Sequence, residues 1–405
     1  MAGIAVFALV VVMYTAFSRR FASWNLSAAI VFAAAGTVFG IGHIALGIDA
    51  AMVRTIAEAT LAMILFHDAA HLHPRQLLAD KGVLLRLLLI GLPLTIALGW
   101  VVARLLFPEA GVWLALFVAS ALAPTDAGLG AATVLNPVVP ARIRRILNGE
   151  SGLNDGLATP IVLFALAASA NAPAASDVWH AVGEALLEIA IGGVIGVAAG
   201  FGAGWLMKRA RDRQWAIPAL VPVSVAVIPI VAYFGASLLH GNGFIAAFVA
   251  GTALAAVGSA HHEEDLVTTE SVSTLLGYAV WGLFGVIFVA HLGEYLTWHS
   301  LVFALLALTV FRILPVWLVL WGTGFASVTK GFIGWFGPRG LASVVFALIA
   351  FEELGGVGVL RDATGVVGVT VLLSVIAHGI TGTPWASAYG RWVQRTSPVA
   401  EMAEP

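Results

Sequence analysis

The sequence predicts an all-α polytopic membrane protein with about 13 transmembrane helices. Three observations support this: 60% of the 405 residues are apolar, only 10% are charged, and the apolar residues occur in long unbroken runs. Soluble proteins carry roughly 25% charged residues. The composition therefore excludes a soluble enzyme, a nucleic-acid-binding protein and a disordered chain. Long apolar runs without strand-like alternation exclude a porin-like barrel, and the lack of cysteine excludes a disulfide framework or a thiolate metal site.

The apolar runs define the predicted spans, because a helix that crosses a bilayer needs about 20 mostly apolar residues. Divided at polar, proline and glycine positions, the chain gives 3–18, 26–47, 50–70, 82–106, 110–135, 146–170, 178–207, 216–235, 238–258, 272–293, 299–322, 327–350 and 364–387. The first run is short, but no Lys or Arg precedes it and no small-residue cleavage site follows, so a helix is favoured over a signal peptide. We therefore expect one transporter domain at 1–390 and a short, loose cytoplasmic tail at 391–405.

The basic residues predict the orientation of the chain, because cytoplasmic loops are enriched in Lys and Arg. With the N-terminus outside, the inner loops contain 14 of the 20 basic residues and the outer loops contain only Arg361. The inner set is Arg19, Arg20, Arg75, Lys81, Arg142, Arg144, Arg145, Lys208, Arg209, Arg211, Arg213, Lys330, Arg391 and Arg395. This asymmetry predicts an N-out, C-in topology.

Charged residues inside the spans are candidates for function, because each costs several kcal/mol in lipid unless it is paired or hydrated. They concentrate in the fifth and sixth spans, with Asp126, Glu150 and Asp155, and in the eleventh and twelfth, with Arg312 and Arg339. Glu150 is expected to pair with Arg339 or Arg312, and both arginines to neutralise buried acid and helix ends. Asp126 either caps a helix break or contacts a cation.

The sixth span contains two residue pairs four positions apart, Glu150 with Asn154 and Ser151 with Asp155. Residues four apart lie on one helix face. A hydroxyl and a carboxylate one turn apart offer hard oxygen ligands, which suit alkali cations better than transition metals. Because a carboxylate in a low-dielectric environment binds its proton more tightly than in water, Asp155 could exchange a proton for a cation.

Two spans are predicted to be broken. In the fifth, Pro124 disfavours helix and is followed by Thr125 and Asp126, which are typical helix caps. In the twelfth, residues 337–340 read Gly-Pro-Arg-Gly. Broken helices near the bilayer midplane are a recurring feature of transporters. The two spans are seven apart and so run in opposite directions, as expected for inverted repeats. In the seventh span, glycines every four residues, from Gly192 to Gly204, predict close helix packing in a connector between two bundles.

These motifs resemble those of the sodium/proton antiporters of the cation/proton antiporter-1 family, the prokaryotic NhaP-type exchangers. Residues 123–126 (Ala-Pro-Thr-Asp) are similar to the Thr-Asp motif of the family's broken fifth helix. Residues 150–156 (Glu-Ser-Gly-Leu-Asn-Asp-Gly) are similar to its specific sixth-helix motif, and Arg312 and Arg339 fall in its two arginine motifs. The likeness departs at Ala127, where the family usually has proline, and in the spacing of Pro315 from Arg312.

The resemblance implies the NhaA-like antiporter fold, a homodimer in the cytoplasmic (inner) membrane, and alternating access without a cofactor. A core bundle, about 82–170 and 299–387, would move against an interface bundle, about 3–70 and 216–293, with 178–207 as the linker helix.

The resemblance also implies roles for single residues. Asp155 would bind Na⁺ (or Li⁺) and H⁺ in competition, with Ser151 and the backbone near Thr125 as further cation ligands. Asn154 stands where electrogenic relatives have a second Asp, which implies electroneutral 1:1 exchange. Glu150 and Arg339 would form a structural salt bridge.

Three alternatives remain at this stage. K⁺/H⁺ exchange depends on cavity dimensions that the sequence does not give. A cation channel would conduct without proton coupling, and the protonatable Asp155 favours an exchanger over it. An intramembrane hydrolase would need a nucleophile with a base, or metal-ligand spacing such as His-Glu-x-x-His, and the sequence contains neither.

Overall fold

The computed structural model describes residues 2–42, 49–72, 80–130, 136–171, 178–258, 262–353 and 359–402. All regular secondary structure in these ranges is helical. Numbered along the chain, the helices are α1 (Ala2–Ser23), α2 (Ala28–Ile41), α3 (Ala50–His71), α4 (Lys81–Arg86), α5 (Leu92–Leu106), α6 (Gly111–Ala121), α7 (Ala141–Asn171), α8 (Val178–Asp212), α9 (Val221–Leu238), α10 (Gly243–Val257), α11 (His262–Phe284), α12 (Leu292–Tyr295), α13 (Trp298–Leu308), α14 (Val310–Val319), α15 (Ser327–Trp335), α16 (Leu341–Glu353), α17 (Val359–Thr396) and α18 (Val399–Met402). Two π-helical turns, Leu87–Gly91 and Gly285–Val289, extend α5 and α11.

The all-helical prediction is confirmed, and within the described ranges eight helical segments are long and apolar enough to cross a bilayer. Every predicted span overlaps a described helix. The parts of the spans at 43–47 and 131–135, and the basic residue Arg75, lie outside the described residues. The count of 13 crossings and their orientation stay predictions.

The helices pack in two groups. In one, α3 lies against α10 and α11, α2 lies against α11, and α9 lies against α10. In the other, α6 packs on α5 and α7, while α13 and α16 pack on α17. The groups meet where α16 and α7 lie against α3. Of the polar residues singled out in the sequence, Glu150 and Asp155 are on α7 of the second group, while Asp126 follows α6 and Arg339 precedes α16.

The glycine repeat of α8 lies against α10. A Cβ atom at Gly192 would meet the backbone oxygen of Asn242 at 2.5 Å, and one at Gly196 would meet that of Ala246 at 2.5 Å. Because no side chain fits in this space, the glycines allow the two backbones to touch. The predicted close packing is therefore confirmed, and α8 extends five residues beyond the predicted end, to Asp212.

Both predicted helix breaks are present. Helix α6 ends at Ala121, and residues 122–130 contain only turns and irregular backbone. Residues 336–340 separate α15 from α16 without regular structure. Pro124 and Pro338 lie within the breaks, where the missing N–H group and the restricted preceding residue prevent a continuous helix.

The expectation of a loose C-terminal tail is wrong for the described residues up to Met402. Helix α17 continues to Thr396, and α18 packs back on the protein with Glu401 only 1% exposed. The carboxylate Oε1 of Glu401 accepts hydrogen bonds from the amide of Ala326 at 2.9 Å and from the hydroxyl of Thr329 at 2.6 Å. Ala326 precedes the first residue of α15, so the tail supplies a charged cap for that helix. Residues 403–405 lie outside the described part.

Candidate functional site

The two broken helices cross at Asp126. Its amide donates a hydrogen bond to the carbonyl oxygen of Pro338 at 2.9 Å, which joins the two irregular segments directly. The carboxylate Oδ1 accepts the amide of Leu129 at 3.1 Å, and Oδ2 accepts the amide of Leu341 at 2.8 Å. Asp126 therefore caps the turn that follows it and the N-terminus of α16. The sequence left open whether Asp126 caps a helix break or contacts a cation, and these hydrogen bonds correspond to the cap.

Two glycines make room for this crossing. A Cβ atom at Gly340 would coincide with the carboxylate of Asp126. A Cβ atom at Gly337 would meet the guanidinium Nε of Arg312 at 2.6 Å and the methyl group of Thr125 at 2.8 Å. The Gly-Pro-Arg-Gly segment thus both breaks the helix and lets the polar side chains approach its backbone.

Helix α7 places its polar face against the break at Thr125. The hydroxyl of Ser151 donates to the backbone oxygen of Thr125, and the side-chain amide Nδ2 of Asn154 donates to the Thr125 hydroxyl at 2.7 Å. All three side chains are buried. The spacing of the sixth-span motif therefore brings both hydrogen bonds to one residue.

Asp155 lies on the same face and is 6% exposed. Its carboxylate Oδ1 and the amide oxygen Oδ1 of Asn154 are buried without a hydrogen-bonding partner among the described residues. A buried polar atom without a partner costs about 1–3 kcal/mol, and a charged one costs more. A proton or a cation on Asp155 would remove this cost, and the oxygens of Ser151 and Thr125 are ligand types that suit monovalent cations.

Helix α3 brings Asp68, an acid near the end of the third predicted span, against α7. At the contact between the two helices, a Cβ atom at Gly152 on α7 would lie 3.6 Å from the backbone oxygen of Asp68. An acid inside the third apolar run was the available signal, but the contact of α3 with α7 was not predictable from spacing.

Glu150 pairs with Arg312 and not with Arg339. The two guanidinium nitrogens Nη1 and Nη2 of Arg312 bind the two carboxylate oxygens of Glu150, with Nη2 to Oε2 at 2.7 Å. The resemblance implied a salt bridge between Glu150 and Arg339, and this prediction is wrong because Glu150 pairs with Arg312. Arg312 was the other partner that the sequence allowed for Glu150, and the pair connects α7 to α14.

Arg339 is 1% exposed and binds backbone carbonyl groups instead. Its Nη1 donates to the oxygens of Ala123 at 2.8 Å and Pro124 at 3.2 Å, and Nη2 donates to that of Ala307 at 3.2 Å. The carbonyls of Ala123 and Pro124 lie in the break after α6, and that of Ala307 lies at the end of α13, so the guanidinium satisfies the C-terminal ends of two helices. Its role as charge compensation for helix ends agrees with these contacts.

The family model for the sodium/hydrogen exchanger, transmembrane, matches residues 5–388. The chain belongs to this family. The exchanger family comprises transporters, which excludes the intramembrane hydrolase considered from the sequence.

Named relatives of this exchanger agree with the family match. It is 25% identical over 325 residues to a Na(+)/H(+) antiporter of Schizosaccharomyces pombe, covering 70% of this chain and 68% of the relative. It is 27% identical over 270 residues to the Na(+)/H(+) antiporter NhaH of Halobacillus dabanensis, covering 62% of each chain. The matched segment thus spans about two thirds of these relatives' length.

A solved structure shows the same fold. The exchanger superposes on the sodium proton antiporter MjNhaP1 of Methanocaldococcus jannaschii, at pH 8, with a TM-score of 0.73 and 16% identity. The superposition covers 96% of this chain and 98% of the other. The family resemblance noted in the motifs is therefore confirmed, by sequence and by fold.

Proposed function

We propose that this protein exchanges Na⁺ (or Li⁺) for H⁺ across the cytoplasmic membrane, with both ions competing for Asp155. The observation that carries the proposal is the buried Oδ1 atom of Asp155, which has no partner among the described residues. It lies on the polar face whose Ser151 and Asn154 bind Thr125 at the break. A carboxylate in this position must take up either a proton or a cation to be stable in a low-dielectric environment.

Competition follows from this single acceptor. When Asp155 is protonated its carboxylate no longer attracts a cation, and when Na⁺ is bound an added proton would leave an uncompensated positive charge. Ser151 and the backbone oxygen of Thr125 supply further oxygen ligands, while Asp126 and Asn154 hold the break that positions them. Because the second carboxylate position of electrogenic relatives is Asn154 here, we propose one proton for one cation.

Transport requires that this site open to each side in turn. The group of helices that contains the breaks (about 82–170 and 299–387) would move against the group formed by about 3–70 and 216–293, with α8 as the linker. The proposed topology has 13 crossings, inverted repeats, an outer N-terminus and an inner C-terminus. A homodimer in the inner membrane, contributing to pH homeostasis, is part of the same proposal.

Proton flux from acid-loaded proteoliposomes, measured on addition of Na⁺, Li⁺ or K⁺, tests the proposal. We expect Na⁺ or Li⁺ to drive proton efflux, with a half-saturating concentration that rises as the pH falls. Asp155→Asn should abolish the flux, while Asp362→Asn, an exposed acid in the first turn of α17, should leave it unchanged. The electroneutral assignment requires that an imposed membrane potential not alter the rate.

Each alternative has a distinct outcome. Flux driven by K⁺ in preference to Na⁺ would replace the proposal with K⁺/H⁺ exchange. Cation flux without proton movement would indicate a channel. Wild-type exchange by Asp155→Asn would eliminate Asp155 as the coupling site.

A further inference from the structure

We infer that Ser374 and His378 on α17 are positioning residues for exchange, because together they fix both ends of the break between α15 and α16. The inference rests on the proposed function. Both side chains are buried, and neither belongs to the motifs that carry the family resemblance.

His378 holds the end of α15. Its ring nitrogen Nε2 lies 2.9 Å from the carbonyl oxygen of Trp335, the last residue of that helix. A carbonyl oxygen only accepts hydrogen bonds, so this contact is a hydrogen bond in the ring form that carries a hydrogen on Nε2. The imidazole also stacks on the Trp335 indole, with ring centroids 5.1 Å apart.

Ser374 holds the other end. Its hydroxyl oxygen accepts the backbone amide of Arg339 at 2.7 Å, within the break and two residues before α16. The same oxygen lies 3.3 Å from Nδ1 of His378. Nδ1 lies closer, at 2.9 Å, to the backbone oxygen of Ser374, so each ring nitrogen faces a carbonyl group and the ring ties the end of α15 to α17. Ser374 and His378, one turn apart on α17, thus hold Arg339 and Trp335 at the two ends of the break.

These contacts lead to the ion site through the break itself. Pro338, between the two fixed ends, accepts the amide of Asp126. The side chain of Arg339 binds the carbonyls of Ala123 and Pro124, next to Thr125. Thr125 is the residue whose backbone oxygen we assign as a cation ligand. A shift of the Arg339 amide would therefore move backbone groups one or two residues from that ligand.

The test compares Ser374→Ala with Thr370→Ala in reconstituted full-length protein. Thr370 lies one turn earlier on α17, is equally buried, and its hydroxyl donates only to Val366 in its own helix. The substitutions remove similar groups, but only the first breaks the contact with Arg339. His378→Phe keeps a ring against Trp335 but removes the hydrogen-bond donors of the imidazole. His378→Gln places an amide donor where Nε2 lies.

We expect Ser374→Ala and His378→Phe to raise the half-saturating Na⁺ concentration roughly five-fold, the factor expected from one lost hydrogen bond. The maximal rate should change less, and His378→Gln should recover most of the wild-type value. Stabilisation of the protein by added Na⁺, followed as a rise in Tm, should require correspondingly more Na⁺. This second measurement does not depend on transport.

A half-saturating concentration for Ser374→Ala equal to that of Thr370→Ala, in protein with active wild-type exchange, would overturn the positioning inference alone. The same holds if His378→Gln is no better than His378→Phe. Absence of cation-driven proton flux in the wild-type protein would instead overturn the proposed function.

Discussion

The carboxylate of Asp126 accepts the amide hydrogen of Leu341 at 2.8 Å, across the crossing of the two broken helices. Its second oxygen accepts the amide of Leu129 in its own segment. One side chain thus satisfies free N–H groups of both breaks and places a negative charge at the N-terminus of α16, where the helix dipole favours it. The two breaks therefore form one structural unit, and a change in either is transmitted to the other.

Asp126→Asn should disrupt this unit, because an amide offers one acceptor oxygen and turns its NH₂ group toward the second N–H. We expect a loss of about 1–3 kcal/mol of stability, the cost of a buried donor without a partner, and a large reduction in exchange. Melting in detergent and proton flux in proteoliposomes measure the two effects.

Asp49→Asn is the matched control. Asp49 is exposed and caps α3 through a single hydrogen bond, which the amide of Met52 donates to its Oδ1 at 2.8 Å. Asn caps helices about as well as Asp, so Tm should not change. Equal effects of the two substitutions would contradict the double-capping role of Asp126.

Gly340→Ala should abolish exchange, because the added methyl group would occupy the position of the Asp126 carboxylate. The neighbour is a side chain held by two amides, so it cannot move without losing at least one of them. Gly331→Ala in α15 is the control, since no heavy atom outside its local helix lies within 4 Å of the added Cβ. That substitution should be neutral or slightly stabilising, because alanine favours helix over glycine by about 1 kcal/mol. Normal flux in Gly340→Ala protein would show that the crossing tolerates displacement of Asp126.

The sequence predicted the breaks and the polar face of α7 because both depend on local chemistry. Proline, glycine and capping residues determine a break at their own positions, and the four-residue spacing places Ser151 and Asp155 on one face wherever the helix packs. The partner of Glu150 was not predictable in this way. Arg312 and Arg339 are both buried near it, and the choice depends on how the chain crosses at Gly337, which is a tertiary contact.

The contribution of His378 was missed for the same reason. It lies in an apolar run, and its significance comes from α15, a helix distant in the sequence. The contact of α3 with α7 beside Asp68 is likewise a tertiary contact that spacing does not predict. The docking of the C-terminal segment was missed because fifteen mostly polar and small residues at a chain end give no pattern that favours packing. The docking depends on tertiary contacts, in which Glu401 caps the start of α15 and Arg142 donates to the carbonyl oxygen of Ala400.

Arg312→Met should destabilise the protein strongly, because it leaves the carboxylate of Glu150 buried without its bidentate partner. Removal of one partner of a buried ion pair typically costs about 3–5 kcal/mol. The double variant Arg312→Met with Glu150→Gln should recover a large part of the loss, since no uncompensated charge remains. Melting temperatures of the two single variants and the double variant give the coupling between the residues.

The surface pair of Arg54 and Glu58 provides the comparison for that cycle. Its two atoms, Nε and Oε1, are 2.7 Å apart, but the arginine side chain is 48% exposed. Solvent-exposed pairs contribute about 0–1 kcal/mol, so Arg54→Met should shift Tm little. An equal shift in Tm for Arg54→Met and Arg312→Met would mean that the Glu150–Arg312 pair contributes no more to stability than an exposed pair.

Glu401→Ala should loosen the start of α15, because its Oε1 accepts both the amide of Ala326 and the hydroxyl of Thr329. Thr329 retains contact with the Tyr389 hydroxyl at 3.0 Å, so the amide of Ala326 bears most of the loss. We expect about 1–3 kcal/mol lower stability and faster hydrogen exchange at the first amides of α15. Glu401→Gln keeps an acceptor oxygen and should lose less, and Met402→Ala, 56% exposed on the same short helix, should change neither measurement. Unchanged hydrogen exchange in Glu401→Ala protein would show that α15 holds its first turn without the C-terminal segment, and the cap would then have no structural consequence.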